Sequence, residues 1–194
     1  MGLRRSNRRQ GLLSAAEQRI PLREPAPQLP LRIIGVDPGL ATTGWGVVEA
    51  SRGRISYIAH GFIETGKEEK RGDRLNRIYK SFLKILKTYE PAGAAMEKLY
   101  FGKNVSSAMA VAEARGVLLL ALAGRGLPVL ELTPNAIKQG VTGVTKADKN
   151  QVQEMVRFLL GLAEIPEPDH AADALAAAIC AANQPAMLSG QEES

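Results

Sequence analysis

Apolar residues recur along this chain with two periods, and the switch between them lays out its elements. Residues 31–37 (LRIIGVD) are a continuous apolar run closed by Pro38-Gly39, the pattern of a buried strand ended by a turn. Residues 44–50 (GWGVVEA) read as its hairpin partner and residues 54–65 (RISYIAHGFIET) as a third strand. Over 70–89 the spacing changes to three and four, with Leu75, Ile78, Tyr79, Phe82, Ile85 and Leu86 on one face, which predicts a helix. A short apolar strand at 93–98 (GAAMEK), an alanine-rich helix at 104–124 and a strand at 127–132 (LPVLEL) follow. Helices at 134–140, 147–161 and 169–183 complete the order, and no internal repeat is apparent. Three strands followed by alternating helices and strands imply an α/β fold, a mixed sheet with helices packed on its faces.

The first 30 residues lack this periodicity. Six arginines against two glutamates, with four prolines, read as a disordered basic extension, and contact with nucleic acid is its functional alternative. Residues 185–194 read as a flexible tail, which leaves 31–184 as the folded domain. Without the extension the chain holds 19 basic and 18 acidic residues, so the formal net charge of +5 says little about the folded body. A single cysteine, Cys180, excludes an intrachain disulfide framework. With only His60 and His170, any metal site must be mostly carboxylate. No apolar run approaches the ~18 residues of a membrane span, and a cytoplasmic protein with no membrane partner is expected.

Two acids break the apolar pattern. Asp37 ends the first strand, where a buried carboxylate is costly unless it meets a cation or hydrogen-bond donors; turn chemistry before Pro-Gly is the simpler alternative. Glu97 ends the 93–98 strand in the same way. If the two strands are neighbours, both carboxylates emerge at the edge where α/β sheets gather ligands. The segment Pro168-Asp169-His170-Ala171-Ala172-Asp173 opens the last helix, with Asp169 as its N-cap and His170 and Asp173 on one face, or with Asp169 sharing the face of Asp173 if the helix begins a residue earlier. Together Asp37, Glu97, His170 and Asp173 form a hard donor set with one imidazole, suited to Mg²⁺ or Mn²⁺. On the polar side of the 70–89 helix, Lys70, Arg74, Arg77, Lys80, Lys84 and Lys87 make a basic stripe, a solvated face or a track for nucleic-acid phosphates.

The stretches IIGVDPGLATTGWGVVE, AAMEKLYFGKN, TPNAIKQGVTG…KADKNQVQ and PDHAADALAAAI, in this order over residues 31–183, resemble the RuvC family of bacterial Holliday-junction resolvases. The resemblance implies an RNase H-like fold, a mixed five-stranded sheet flanked by helices on both faces, acting as a homodimer. It also implies a crossover junction endodeoxyribonuclease that makes paired symmetric nicks in strands of the same polarity, using two Mg²⁺ ions or Mn²⁺ in their place. Homologous recombination and DNA repair are the implied setting, with four-way junction DNA, RuvA and RuvB as implied partners. By position, Asp37, Glu97 and Asp173 are the implied acidic metal ligands, and His170 stands where the family uses Asp or His. Tyr100, with Phe101 as its neighbour and fallback, resembles the aromatic residue that contacts bases. Lys138, Lys146 and Lys149 are the implied DNA-contacting basic residues, and segment 140–147 (GVTGVTKA) an expected mobile loop. The 104–124 helix is the expected dimer interface. An actin-like ATPase or sugar kinase begins with a similar strand, Asp and turn, but needs a second related domain for which the chain has no room. A DNA-binding scaffold without catalysis is disfavoured by the intact acidic set.

Overall fold

The computed structural model describes residues 30–99 and 105–184. Most of the expected extension, the expected tail, and Tyr100 and Phe101 lie outside the described residues. The three opening strands form as the pattern implies: β1 Leu31–Asp37, β2 Thr42–Ser51 and β3 Arg54–Glu64, joined antiparallel. After α1 (Arg71–Tyr89), β4 (Gly93–Glu97) returns parallel to β1; after α2 (Val105–Ala123), β5 (Val129–Leu132) adds parallel to β4. Three helices follow: α3 Pro134–Thr142, α4 Lys149–Leu160 and α5 Asp169–Ala182. The sheet order is β3-β2-β1-β4-β5, with β1 at the centre.

Strand alternation divides the core into two layers. Ile33, Val48, Ala95 and Leu132 pack against α3, α4 and α5, whereas Ile34, Val36, Val47, Ala94 and Met96 pack against Ile78, Phe82, Leu118 and Leu122 of α1 and α2. Each of these large side chains, buried fully, contributes roughly 1.5–3 kcal/mol, which is ample to hold helices on both faces. Arg74 and Arg77 of the expected stripe turn to Thr65 and Glu69, at 2.8 and 2.9 Å. Lys80, Lys84 and Lys87 remain exposed, in the layer opposite α5. The expected 140–147 loop is shorter than its glycines suggest. Val141 and Thr142 close α3, Gly143 caps it in the left-handed region and Ala147 is buried, so the segment is anchored at both ends. Among the described residues no helix is long and apolar enough to cross a membrane.

Candidate active site

The alternation that builds the core also aims the strand-end acids. Ile33 faces α5 and Ile34 and Val36 face away, so Asp37 shares the face of Ile33. Ala95 faces α5 between Ala94 and Met96, which puts Glu97 on that face too. Val36 pairs with Met96 in parallel register, so the next residue of each strand is an acid at the same carboxyl edge.

Helix α5 reaches this edge because nothing keeps it away. A Cβ at Gly35 would overlap the Ala174 carbonyl, one at Gly44 the His170 carbonyl and one at Gly46 the Leu175 side chain. Alanine on the helix and glycine on the strands therefore seat the first turn of α5 on the end of β1, where Gly44 pairs with Asp37. His170 Nδ1 lies 2.6 Å from Asp37 Oδ2. One turn on, Asp173 joins Glu97, Lys138 and Lys149 around a cleft of about 220 Å³ floored by Ile137 and Val152.

The two lysines are placed by helix starts. In α3, Thr133 caps by accepting from the Ala136 N–H at 3.1 Å, with Pro134 in the first turn, and Lys138 follows on the cleft side. In α4, Asp148 and Gln151 form a reciprocal capping box that leaves Lys149 as the first helical residue. Its Nζ lies 3.0 Å from Asp169 Oδ2 and 3.3 Å from Asp173 Oδ2. Asp169 is not the N-cap expected from the sequence. Pro168 holds that position, and the Asp169 carboxylate instead accepts from Gln153 Nε2 at 3.0 Å, drawn across to α4 by Lys149. Lys146 is exposed on the turn before α4.

The electrostatics of the cleft are those of crowded carboxylates. Burial, then the charges of Asp37 and Asp173, push the Glu97 carboxyl up, with Lys138 opposing. Asp173 is likewise raised by burial and by Asp37, with Lys149 opposing. The hydrogen bond to Asp37 holds the His170 imidazole above its ordinary value. Partial burial pulls Lys149 down, but its pairs with Asp169 and Asp173 outweigh that and the net shift is upward. Among the described residues no three of these groups form a ready coordination cage; His170 is engaged by Asp37, and Asp173 by Lys149. The chemistry of the set nonetheless fits a hard divalent cation. Three carboxylates meet in a half-buried place with two lysines and one imidazole as the nearest offset, and a cation would relieve the repulsion that adds to burial in raising Glu97 and Asp173.

Sequence reading passed over Arg115 of α2, which is buried and donates to the Glu97 carbonyl at 2.9 Å. Its signal was a single cation inside an apolar helix.

The family model for crossover junction endodeoxyribonuclease RuvC matches residues 33–181, which covers every strand and helix except Leu31 and Arg32 of β1 and Ala182 of α5. The chain belongs to the RuvC family. A RuvC from Thermotoga petrophila is 53% identical over 154 residues, spanning 79% of this chain and 93% of the relative. A RuvC from Treponema denticola is 50% identical over 173 residues, spanning 89% and 93%. The solved structure of Thermus thermophilus RuvC in complex with Holliday junction substrate superposes with a TM-score of 0.74 at 34% identity, covering 78% of this chain and 93% of that one. The fold is therefore RNase H-like, and a RuvC chain is a nuclease of the phosphodiester-hydrolase class that depends on divalent metal.

Proposed function

We infer that this protein is an endonuclease that resolves Holliday junctions in recombination and repair, and that Asp37, Glu97, His170 and Asp173 are its metal-binding and catalytic residues. The observation that carries the site assignment is the convergence of two strand-end acids with the first turn of α5 at one sheet edge, on a chain of the RuvC family. The three carboxylates, with the His170 imidazole, would hold two Mg²⁺ ions, with Mn²⁺ as a substitute. Bound there, divalent ions supply an activated water and a stabilised leaving oxygen for phosphodiester hydrolysis.

The chain's own groups do the rest. Asp37 Oδ2 accepts from the His170 Nδ1–H, so a neutral imidazole keeps its proton there and leaves Nε2 free to serve as a ligand. Lys138 and Lys149 face the cleft and suit the non-bridging oxygens of a scissile phosphate; on substrate binding Lys149 exchanges Asp173 for phosphate. Lys146 contacts the backbone nearby, and Tyr100 or Phe101 stacks on bases at the junction centre. Four-way junction DNA is the substrate, RuvA and RuvB are partners, and the cytoplasm is the compartment.

A homodimer places one site on each of two opposed strands. Helix α2 suits the interface: it is apolar nearly all round, with Met109 and Leu120 exposed and open space where a Gly116 side chain would stand. Incubating the protein with a synthetic four-way junction, with and without Mg²⁺, tests the reading. Metal-dependent symmetric nicks are expected, and an uncut junction under both conditions would refute it.

A further inference from the structure

Helix α2 carries one cation along its whole length, Arg115, and that cation is only 9% exposed. Burying a guanidinium in such a helix is costly unless acceptors meet it. Two do, from different strands. Nη1 donates to the backbone carbonyl of Glu97 at 2.9 Å, and Nη2 donates to the carboxylate of Glu131 on β5. The Glu97 carbonyl is the last of β4; after the Lys98 N–H donates to the Leu132 carbonyl at 2.7 Å, the chain leaves the sheet.

Stability alone does not call for this arrangement. Glu131 is 43% exposed in its side chain, so the ion pair is not sealed from water, and an apolar residue would suit the rest of α2 at least as well. What leucine or methionine could not do is grip a peptide group. A planar guanidinium can donate to a carbonyl and a carboxylate at once, in a fixed geometry that an ammonium does not impose.

The geometry points to Arg115 as a positioning residue for the active site: it clamps the Glu97 peptide from the α2 layer so that the carboxylate, on the opposite face, stays beside Asp37 and Asp173. This role rests on the reading of Glu97 as a metal ligand. It also ties the last residue of β4 to the edge strand β5.

Arg115→Met, Arg115→Lys and Glu131→Gln test it, with Glu97→Gln as reference. In Arg115→Met, kcat on a synthetic junction should fall about 10²-fold, the loss expected when a reacting group is misplaced by an ångström, while KM stays nearly constant. Calorimetric Mn²⁺ affinity of the DNA-free protein should weaken about tenfold, as for other residues that orient ligands. Hydrogen exchange at the Lys98 amide should quicken, and Arg115→Lys should restore part of each loss. Should Arg115→Met not fold, Arg115→Lys and Glu131→Gln carry the test, with smaller losses in the same three quantities. Parent-like Mn²⁺ affinity and Lys98 exchange in the folded variants would overturn the proposal, as would activity that falls only with the folded fraction. Full cleavage by Glu97→Gln would instead sink the reading of the site itself. An inactive Glu97→Gln beside an unaffected Arg115→Met sinks the clamp alone.

Discussion

Burial and the neighbouring charge of Asp37 keep Glu97 and Asp173 protonated to higher pH than free carboxylates, and the charge of Asp173 adds to the rise in Glu97. The folded chain therefore binds their protons more tightly than the unfolded chain, and stability rises as pH falls through that raised range. His170 leans the same way. Its pKa is raised by Asp37, so its contribution is complete below the ordinary histidine value and is lost as pH climbs through the folded value. In EDTA, the melting temperature should be higher at pH 6 than at pH 8, a difference that thermal melts at the two pH values check. The His170 share is reduced because its side chain is 47% exposed and water screens the pair. Cleavage in Mg²⁺ should run in the opposite direction, falling with acidity, because protons on Glu97 and Asp173 compete with the cation. Asp37→Asn separates the two effects from DNA binding. It replaces the charged acceptor of His170 with a neutral amide and removes a charge acting on both other acids, so the thermal pH slope should flatten and nicking should vanish. Junction affinity, set mostly by phosphate contacts, should change little in a gel-shift titration. A variant that still cuts would rule out Asp37 as a ligand.

At the scale of elements, the site depends on how closely α5 rides on β1 and β2. Gly44→Ala puts a methyl group into the His170 carbonyl and must lift the first turn of the helix. Overpacking of this kind costs about 1–3 kcal/mol in stability, and the displacement of His170 and Asp173 should lower kcat by about 10²-fold. Gly72→Ala in α1 is the control: its Cβ meets nothing, and melting should rise slightly, by up to ~1 kcal/mol, with nicking unchanged. Thermal melts and single-turnover cleavage of the pair check both statements. The acids themselves were legible in the sequence, because Asp37 and Glu97 each end an apolar strand where an acid is out of place. The strands and helices were legible too, α1 from its three-and-four spacing and β1 from a short apolar run closed by Pro38-Gly39. The glycine groove was not: Gly35, Gly44 and Gly46 announce a close approach without saying which helix makes it. Nor could spacing settle Asp169, whose partners Lys149 and Gln153 lie 16 to 20 residues back on another helix. Arg115 was hidden for the same reason, its two acceptors being contributed by separate strands.

The whole molecule has to match the symmetry of its substrate. A four-way junction offers two equivalent strands, and one active site per chain cuts both in concert only if two chains are held about a shared axis. The outward face of α2 offers Leu120, 64% exposed, and Met109, 54% exposed, on a helix whose inward face holds Arg115 against Glu97. Exposed apolar side chains on a helix apolar nearly all round are the mark of a surface that finds a partner. Leu120→Glu adds a charge where the side chain already stands in solvent, so the isolated fold should keep its melting temperature within about 0.5 kcal/mol of stability. Association should fail because burying that carboxylate against a second apolar α2 has no compensating partner. In sedimentation the particle should drop from about twice the 20.8 kDa chain mass to that mass. On a supercoil-extruded cruciform the two nicks should then become independent events: singly nicked circles should accumulate, whereas the parent should yield linear product within one binding event. A Leu120→Glu protein that still sediments as a dimer, or that still linearises without a nicked intermediate, would move the interface away from α2.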